Sequence, residues 1–500
     1  MKERLLYLIL ALIYLLPIWA VEYLPTTDGP AHTYNAWVLR QLGSSETSWL
    51  DRYYEVDARP LPNWLGHAVM AELMGVVRPW TAEKLLVSGY ILLFLAGARF
   101  LAASADPARG WLAFMAFPLA YNQLFQMGFY NFCLGLAFFL FAVGLWWRRR
   151  DAPGPWLALQ LNALLFLAWF AHLAAHLLAL AALSALWLMT LRCDGRFRGR
   201  RHLAHLAILA PQAVLPLWYL IRHDGEMTWI PRKAAVLWSY LLQMGPVFSL
   251  HRGPLRVGTV LAAAFLVLLA LTLRGRVSGG QRPAWREGDA FLALSVLFVA
   301  LFFAAPEGGV GGSMLKHRIA LFPSLLLLPW LAPELSRRGR AVAVGLLATL
   351  ALTHAGFLLH WYRGADRQVR ELVAGAAGIP SGTRVLPLLF DRDAGGWRGV
   401  LGHAFARAAV ENRLLDWDNY EAASGVFPVR YRPGVRRPDS WTLETRPGDL
   451  DPGAGWDEID SIFCWKMRPG SEIARRIERH YVLVTERGPA RVYARARLED

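Results

Sequence analysis

The sequence predicts a polytopic α-helical membrane protein with a small α/β domain at its C-terminal end. Apolar runs of about 17 to 22 residues recur along the chain, which is the length needed to cross the hydrocarbon core of a bilayer. After His360 the composition changes to a polar tail rich in Arg, Pro and Gly. With 55% apolar residues and 22 Trp among 500, the chain does not have the composition of an ordinary soluble enzyme.

Eleven apolar segments are predicted to span the membrane, and the third is short. Their approximate bounds are 5–24, 82–104, 111–121, 128–147, 155–171, 173–191, 203–221, 256–273, 290–305, 318–333 and 341–361. We interpret the first as an uncleaved span. The run from Leu5 to Ala20 is long for a signal peptide, and Pro17 and Trp19 are a poor approach to a cleavage site.

The net charge of +15 is explained by arginines in short breaks between the spans. Positive charge in such breaks marks the cytoplasmic side, so we expect no nucleic-acid partner. The chain is predicted to lie in a bacterial inner membrane, with a cytoplasmic N-terminus and an extracytoplasmic C-terminus. The arginines of the predicted inner loops are Arg148, Arg149, Arg150, Arg192, Arg196, Arg198, Arg200, Arg201, Arg274, Arg276, Arg282, Arg286, Arg337, Arg338 and Arg340.

Two domains are expected. Residues 1–361 form the transmembrane domain, in which 25–81 is a long first outer loop with juxtamembrane helices. Residues 362–500 form a soluble outer α/β domain, with strand-like runs at Arg384–Leu389, Ser461–Cys464 and Tyr481–Thr485. Cys133, Cys193 and Cys464 offer neither a metal-ligand spacing nor a disulfide.

The stretch from Leu24 to Gly43 follows the first span and contains an acid, a histidine, a tyrosine and an asparagine within eight residues. Asp28, Gly29 and Pro30 predict the start of a helix. An apolar stripe at helical spacing then favours a helix along the membrane surface; it consists of Ala31, Tyr34, Trp37, Val38 and Leu42. Asp28 would lie at the boundary between water and lipid, where it could act chemically or only cap the helix.

Metal-ligating residue types occur in short patterns, but none of them predicts a metal site. His32 lies four residues after Asp28, and such a pair could bind a metal or form a structural hydrogen bond; zinc sites use three or four ligands. Asp416 and Asp418 form an acid-x-acid triplet, which we interpret as a turn or an acceptor-contacting loop. The participation of a divalent cation is left open.

Three segments together resemble the GT-C class of membrane glycosyltransferases, which includes protein O-mannosyltransferases and the lipid A aminoarabinose transferase. They are TTDGPAHTYNAWVL after the first span, GFYN at 128–131, and KHRIALFPSLLLLPWL entering the tenth span. The order of a long outer loop, many spans and an outer tail also resembles that class. The resemblance implies transfer of a sugar from a polyprenyl-phosphate carrier to a lipid, glycan or protein acceptor at the outer face.

Such a transfer needs a base for the acceptor hydroxyl and cations for the departing phosphate. We assign Asp28 as the base. The cations are Lys316 and Arg318, with Arg232 as an alternate, although interfacial anchoring would also explain Lys316 and Arg318. Polar residues of the predicted outer loops and span ends complete the expected substrate site: His32, Tyr34, Asn35, Asn63, His67, Asn122, Gln126, Tyr130, Asn131, His172 and His176. Internal hydrogen bonding is the alternative for the last six of these.

Other functions remain open on the sequence alone. A transporter or flippase of a lipid-linked sugar would need no covalent chemistry, but it would favour ionisable residues in mid-span, which are scarce here. A polymerase or ligase of surface polysaccharide would use a diphosphate carrier. A non-catalytic assembly factor would not require the polar groups concentrated in the outer loops.

Overall fold

The computed structural model describes residues 2–193, 199–223, 226–244, 252–278, 285–309, 312–450 and 458–496. Arg196, Arg198 and Arg282 of the predicted inner loops lie outside these ranges. The chain divides into two compact units. The first unit comprises residues 1–17, 87–125 and 130–358, and the second comprises residues 18–86, 126–129 and 359–500.

Six helices of the described chain are long and apolar enough to cross a membrane. They are Pro79–Ala102, Tyr130–Arg149, Leu173–Thr190, Gly199–Arg222, Gly253–Ser278 and Arg337–Gly375. Pro155–Ala171 and Asp289–Ala304 are shorter apolar helices that coincide with two further predicted spans. The predicted number of eleven crossings therefore stays a prediction.

The remaining predicted spans are interrupted. The first is a helix at Lys2–Ile13 followed by a short turn at Leu16–Trp19. The third is a 3-10 helix, Pro107–Ala116, followed by Phe117–Ala120, and the tenth is split into Leu315–Ile319 and Phe322–Leu327. Pro118 and Pro323 lie at these breaks, and proline removes a backbone donor and clashes with the preceding helical turn.

Shorter helices complete the first unit. They are Gln123–Gln126, whose last residue belongs to the second unit, Ala234–Leu242 and the 3-10 turn Ala210–Ala213 inside the fourth long helix. Aromatic residues contribute hydrogen bonds to the buried core: Tyr14 contacts the ring nitrogen Nδ1 of His354 at 2.8 Å, and the hydroxyl of Tyr121 donates to the carbonyl of Tyr14 at 2.6 Å. These contacts give both tyrosine hydroxyls a partner inside the core.

All seven strands of the described chain lie in the second unit. They are β1 (Tyr54–Val56), β2 (Arg384–Leu389), β3 (Leu415–Asp416), β4 (Val429–Tyr431), β5 (Ser461–Trp465), β6 (Tyr481–Arg487) and β7 (Ala490–Arg495). A five-stranded sheet has the order β3-β2-β5-β7-β6, and β1 pairs with β4 in a separate antiparallel ribbon. In the larger sheet β3, β2 and β5 are parallel, whereas β7 is antiparallel to both β5 and β6. The three strand-like runs predicted from sequence are β2, β5 and β6.

Helices of the second unit surround these strands. They are Gly29–Gln41, Trp64–Leu73, Phe405–Glu411, Tyr420–Ser424, Ser440–Thr445 and Glu472–Ile477, with 3-10 turns at Ser45–Thr47, Leu50–Arg52 and Pro447–Asp449. The first outer loop and the tail are therefore parts of one unit, and β1 of the loop pairs with β4 of the tail. Helix Arg337–Gly375 continues through residue 361, the predicted end of the transmembrane domain.

The helix Gly29–Gln41 begins where the sequence predicts, but its surroundings differ from the prediction. Every residue from 29 to 38 is buried, including His32, Thr33 and Asn35. The helix is therefore enclosed in the second unit and does not lie with one face on the membrane surface. Its polar side chains have partners inside the unit, which removes the cost of burying them; for example, the Thr33 hydroxyl donates to the carbonyl of Gly29 at 2.8 Å.

Candidate active site

The backbone around Asp28 is held by a four-residue segment, 126–129, that belongs to the same unit. The amide of Thr27 donates to the carbonyl of Gln126 at 3.2 Å, and the amide of Asp28 donates to the carbonyl of Met127 at 2.9 Å. Gly128 follows with φ of 86°. Asp28 precedes the helix Gly29–Gln41, yet its side chain makes no capping hydrogen bond. The interpretation of Asp28 as only a helix cap is therefore wrong, and its carboxyl group points to other partners.

Those partners come from the tail. The Tyr420 side chain interacts with the Asp28 carboxylate and lowers its pKa. Nε2 of His403 lies 3.7 Å from Oδ1 of Asp28 and also 3.7 Å from Oε1 of Glu444. The ring of His403 packs on that of Tyr420, with centroids 4.6 Å apart. The side chain of Asp28 is 15% exposed, so the carboxylate is enclosed but still accessible.

The electrostatics of this group favour a base that works near neutral pH. Burial raises the pKa of Asp28 to about 7, and the carboxylates of Glu421 and Glu444 add to this, whereas His32 and Tyr420 oppose it. Burial lowers the pKa of His403 to about 3, helped by Arg392, so this imidazole is neutral. A general base is most effective when its pKa lies near the operating pH.

A second cluster adjoins the first. Nδ1 of His32 lies 2.6 Å from Oε1 of Glu421, and Nε2 of His67 lies 2.8 Å from Oε2 of the same carboxylate. Burial opposes ionisation of Glu421, but the two histidines outweigh it and lower its pKa to about 2. Conversely, burial opposes protonation of His32, but Glu421 and Asp28 together raise its pKa. His32, His67 and Glu421 are the residues of the described chain that could hold a metal ion.

Several residues predicted to contact substrate make internal hydrogen bonds in the second unit. The Tyr34 hydroxyl donates to the carbonyl of Leu414 at 3.2 Å and accepts from the amide of Asp416 at 3.0 Å. The side chains of Asn35 and Asn419 exchange two hydrogen bonds of 2.9 Å. In this way Asn35 orients the loop that leads to Tyr420 and Glu421.

Asn63 and Gln126 also have internal partners. The amide nitrogen of the Asn63 side chain donates to the carbonyl of Val426 at 3.3 Å, and Oε1 of Gln126 accepts from the hydroxyl of Tyr362 at 2.7 Å. The acid-x-acid triplet is buried as well: Asp416 ends β3, and its Oδ1 accepts from the amide of Asp418 at 3.0 Å. It forms a turn, which is one of the two interpretations given above.

Apart from Gln126, the polar residues predicted at span ends lie in the first unit. Asn122 donates to Leu119 and Tyr90 and accepts from the amide of Phe125, so its amide group is satisfied internally. The two ring nitrogens of His176 face carbonyl oxygens of Leu165 and Gln212 at 3.0 and 3.1 Å. These contacts agree with the alternative of internal hydrogen bonding.

Tyr130, Asn131 and His172 lie near the start of helix Tyr130–Arg149. Tyr130 and Asn131 are buried, and the ring of Tyr130 lies 6.0 Å from that of Phe125. The ring of His172 packs edge-on against Phe132, and the guanidinium of Arg318 lies 4.8 Å from the centre of the same ring. Phe132 thus brings His172 and Arg318 together within this unit.

The three predicted phosphate-binding cations differ in their surroundings. The ammonium of Lys316 donates to the carbonyls of Phe302 and Phe303 at 2.9 and 3.2 Å, at the C-terminal end of helix Asp289–Ala304. Arg318 donates through Nε to the carbonyl of Ser313 at 3.0 Å. Both are buried in protein, which does not fit side chains that extend along the membrane surface. Arg232 is 30% exposed and lies 3.8 Å from Glu307.

Sequence reasoning missed His403, Tyr420, Glu421 and Glu444. Each lies in the tail, between 375 and 416 residues from Asp28, and only the chain's folding brings them to it. The nearest local signal is the triplet Asp416–Trp417–Asp418, which ends just before Tyr420. An isolated histidine or glutamate in a polar tail has no pattern that would single it out.

We expect Gly128→Ala to displace Asp28. A Cβ at this position would lie 2.8 Å from the amide nitrogen of Asp28 and closer still to that of Gly29, and the positive φ would be strained for alanine. The expected result is a loss of stability of about 1–3 kcal/mol together with a loss of activity. Thermal unfolding compared with Gly356→Ala, whose Cβ would meet nothing within 4 Å, measures it. Equal stability of the two variants would contradict the packing described here.

Among known proteins, a solved structure has a similar fold. No family model matches the sequence, and no curated protein matches it. In structure the chain is similar to the arabinofuranosyltransferase AftD from mycobacteria, with a TM-score of 0.52 and 14% sequence identity. The match covers 99% of this chain and 42% of AftD, so the chain spans less than half the length of that protein. At this identity the likeness shows that the chain shares the fold of the matched part of AftD.

Proposed function

We propose that the protein is a membrane glycosyltransferase that moves one sugar from a polyprenyl-phosphate carrier to an acceptor hydroxyl at the outer face of a bacterial inner membrane. The observation that supports this best is the environment of Asp28. Its carboxyl group is enclosed yet 15% exposed, it does not cap its helix, and it faces His403 and Tyr420 from the tail. The GT-C-like fold and the six long apolar helices agree with such an enzyme.

In the proposed reaction Asp28 accepts the proton of the acceptor hydroxyl as its oxygen attacks the anomeric carbon of the sugar. The new glycosidic bond forms on the face opposite the carrier, and the bond between the sugar and the phosphate oxygen breaks. The carrier leaves as polyprenyl phosphate and takes the bonding electron pair. A single displacement of this kind inverts the anomeric configuration.

Neutral His403 and Tyr420 have supporting roles in this proposal. The Tyr420 side chain interacts with the carboxylate and opposes the rise of its pKa. His403 lies between the carboxylates of Asp28 and Glu444, at 3.7 Å from each. Because burial keeps its pKa low, the ring of His403 is uncharged and forms no full ion pair with either acid.

The departing phosphate needs positive charge, and we retain Lys316, Arg318 and Arg232 as the proposed phosphate-binding residues. Arginine suits this role because its planar donors match phosphate oxygens. Lys316 already donates to two main-chain carbonyls, so Arg318 is the first of the three to test. The same proposal includes a lipid, glycan or protein acceptor and surrounding membrane lipids.

The donor sugar is suggested by the similar structure. AftD is an arabinofuranosyltransferase, so a pentofuranosyl group on a polyprenyl phosphate is the first donor to supply. The experiment presents the purified protein in lipid nanodiscs with labelled polyprenyl-phosphate pentoses and hexoses and a set of glycan and lipid acceptors. Mass spectrometry of the products then detects any new glycosidic linkage.

The outcomes separate the functions left open by the sequence. A sugar–acceptor product from a monophosphate donor supports the proposal. Product only from a diphosphate donor would instead indicate a polysaccharide polymerase or ligase. Movement of labelled lipid across proteoliposomes with no product would indicate a transporter, and it would overturn the transferase assignment.

A further inference from the structure

Three metal-ligating side chains converge next to Asp28 from segments far apart in the chain. His32 belongs to helix Gly29–Gln41, His67 to helix Trp64–Leu73 and Glu421 to helix Tyr420–Ser424. One ligand atom from each lies within 4.8 Å of the other two. All three are buried, and the side chains of His67 and Glu421 have no exposed surface.

The hydrogen bonding of His67 determines which of its two ring nitrogens can coordinate a metal. Nδ1 lies 3.0 Å from the carbonyl oxygen of Asn63, which can only accept, so Nδ1 carries a hydrogen. In the neutral ring Nε2 then presents a lone pair, and it lies 2.8 Å from a carboxylate oxygen of Glu421. Two acceptors at this distance repel each other unless a proton lies between them or a metal cation binds both.

The contact between Nδ1 and a main-chain carbonyl is also the usual arrangement around metal-binding histidines. It fixes the tautomer and the ring orientation while leaving the opposite nitrogen free to coordinate. Here the carbonyl is presented by Asn63, which has a left-handed backbone with φ of 69° just before its helix. A strained backbone at this position is explained if the direction of the carbonyl matters to the site.

Glu421 supplies the negative charge for such a site. Its carboxylate faces imidazole nitrogens on both sides, with Nδ1 of His32 2.6 Å from Oε1. A proton between His67 and Glu421 makes a buried imidazolium, whereas a bound metal cation would leave both imidazoles neutral.

We propose that His32, His67 and Glu421 bind one transition-metal ion, with zinc(II) as the best match. Two imidazoles and a carboxylate are a ligand set that zinc uses, and three protein ligands leave one coordination position open. The ring of Phe427 lies 5.8 Å from that of His32 and 5.4 Å from that of His67, so an apolar surface borders the site. Such a surface strengthens binding by excluding water.

The ion would link the first outer loop, which contains His32 and His67, to the tail, which contains Glu421. His32 lies one helical turn after Asp28, and Glu421 directly follows Tyr420, whose side chain interacts with Asp28. Coordination would therefore fix Asp28 and its partner relative to each other. The proposal needs no sugar transfer, because metal binding itself is what the experiment measures.

The test uses the full chain, purified in detergent through an affinity tag without histidine. Elemental analysis is expected to find about one zinc per chain. Stripping with a chelator and titrating zinc or cobalt back should give one-to-one uptake, and the melting temperature should rise with free metal as binding to the folded state requires. His67→Ala and Glu421→Gln should each lower the bound metal at least tenfold.

Two exposed residues of the same unit provide matched controls, His480→Ala and Glu478→Gln, which should bind zinc as the wild type does. The stripped and reloaded wild type gives a result even if a variant fails to fold. If stripped wild type takes up no zinc or cobalt and its melting temperature does not respond to them, the proposal is overturned, and the cluster is an imidazolium–carboxylate pair.

Discussion

Asp28→Asn is expected to lower the rate of sugar transfer by about 10²–10⁴-fold, the usual contribution of a positioned general base. Asparagine has nearly the same shape as aspartate, but its amide does not accept the proton of the acceptor hydroxyl. The fold should be preserved, since the Asp28 side chain does not cap its helix and its backbone is held by Met127. Turnover measures the lower rate, and thermal stability of the same preparation checks that the fold is preserved.

Asp449→Asn is the matched control, because Asp449 lies in the same unit and its side chain is 61% exposed. It should leave both turnover and stability unchanged. Turnover of Asp28→Asn within threefold of the control would remove Asp28 from the mechanism. A large fall in the stability of Asp28→Asn would instead assign the residue a structural role.

Arg407→Ala is expected to have the largest effect on stability. Its guanidinium forms a fully buried ion pair with Glu83, with Nη1 2.6 Å from Oε2, and it also donates to the carbonyl of Leu24 at 2.7 Å. Removing one member of a buried pair leaves the other charge uncompensated and costs about 3–5 kcal/mol. Chemical denaturation of the variant and of the wild type, followed by the fluorescence of the second unit, measures the loss in the free energy of unfolding.

The double variant Glu83→Gln/Arg407→Met tests whether the loss comes from an isolated charge. Replacing both members removes both buried charges, and such replacements are often neutral or stabilising. We therefore expect the double variant to be more stable than Arg407→Ala. If Arg407→Ala alone costs less than about 1 kcal/mol, in the range of an exposed pair, the pair is not buried as described.

Secondary structure was predictable where local patterns determine it. The helix Gly29–Gln41 starts after Asp28 because Gly29 and Pro30 suit a first turn, and β2 has the predicted bounds because an apolar run is closed by polar residues. The predicted spans at 111–121 and 318–333 are interrupted instead. Hydropathy measures apolar length and does not register that Pro118 and Pro323 break the helix.

The site was predictable only on its N-terminal side. Asp28, His32 and His67 belong to one loop whose polar residues stand out against an apolar chain. Their partners Glu421 and His403 come from the tail, and the sequence contains no spacing that links the two regions. Such pairing follows from tertiary packing, which is also why Tyr34 and Asn35 form internal hydrogen bonds although they resemble sugar-binding residues.

The central claim is that Asp28 is the base of an inverting sugar transfer. The most direct test is single-turnover transfer from a labelled polyprenyl-phosphate pentose, with the anomeric configuration of the product determined by NMR for wild type and Asp28→Asn. The account predicts an inverted linkage from the wild type and a product yield at least 100-fold lower from the variant. A product of retained configuration, or equal yields from both proteins, would contradict it.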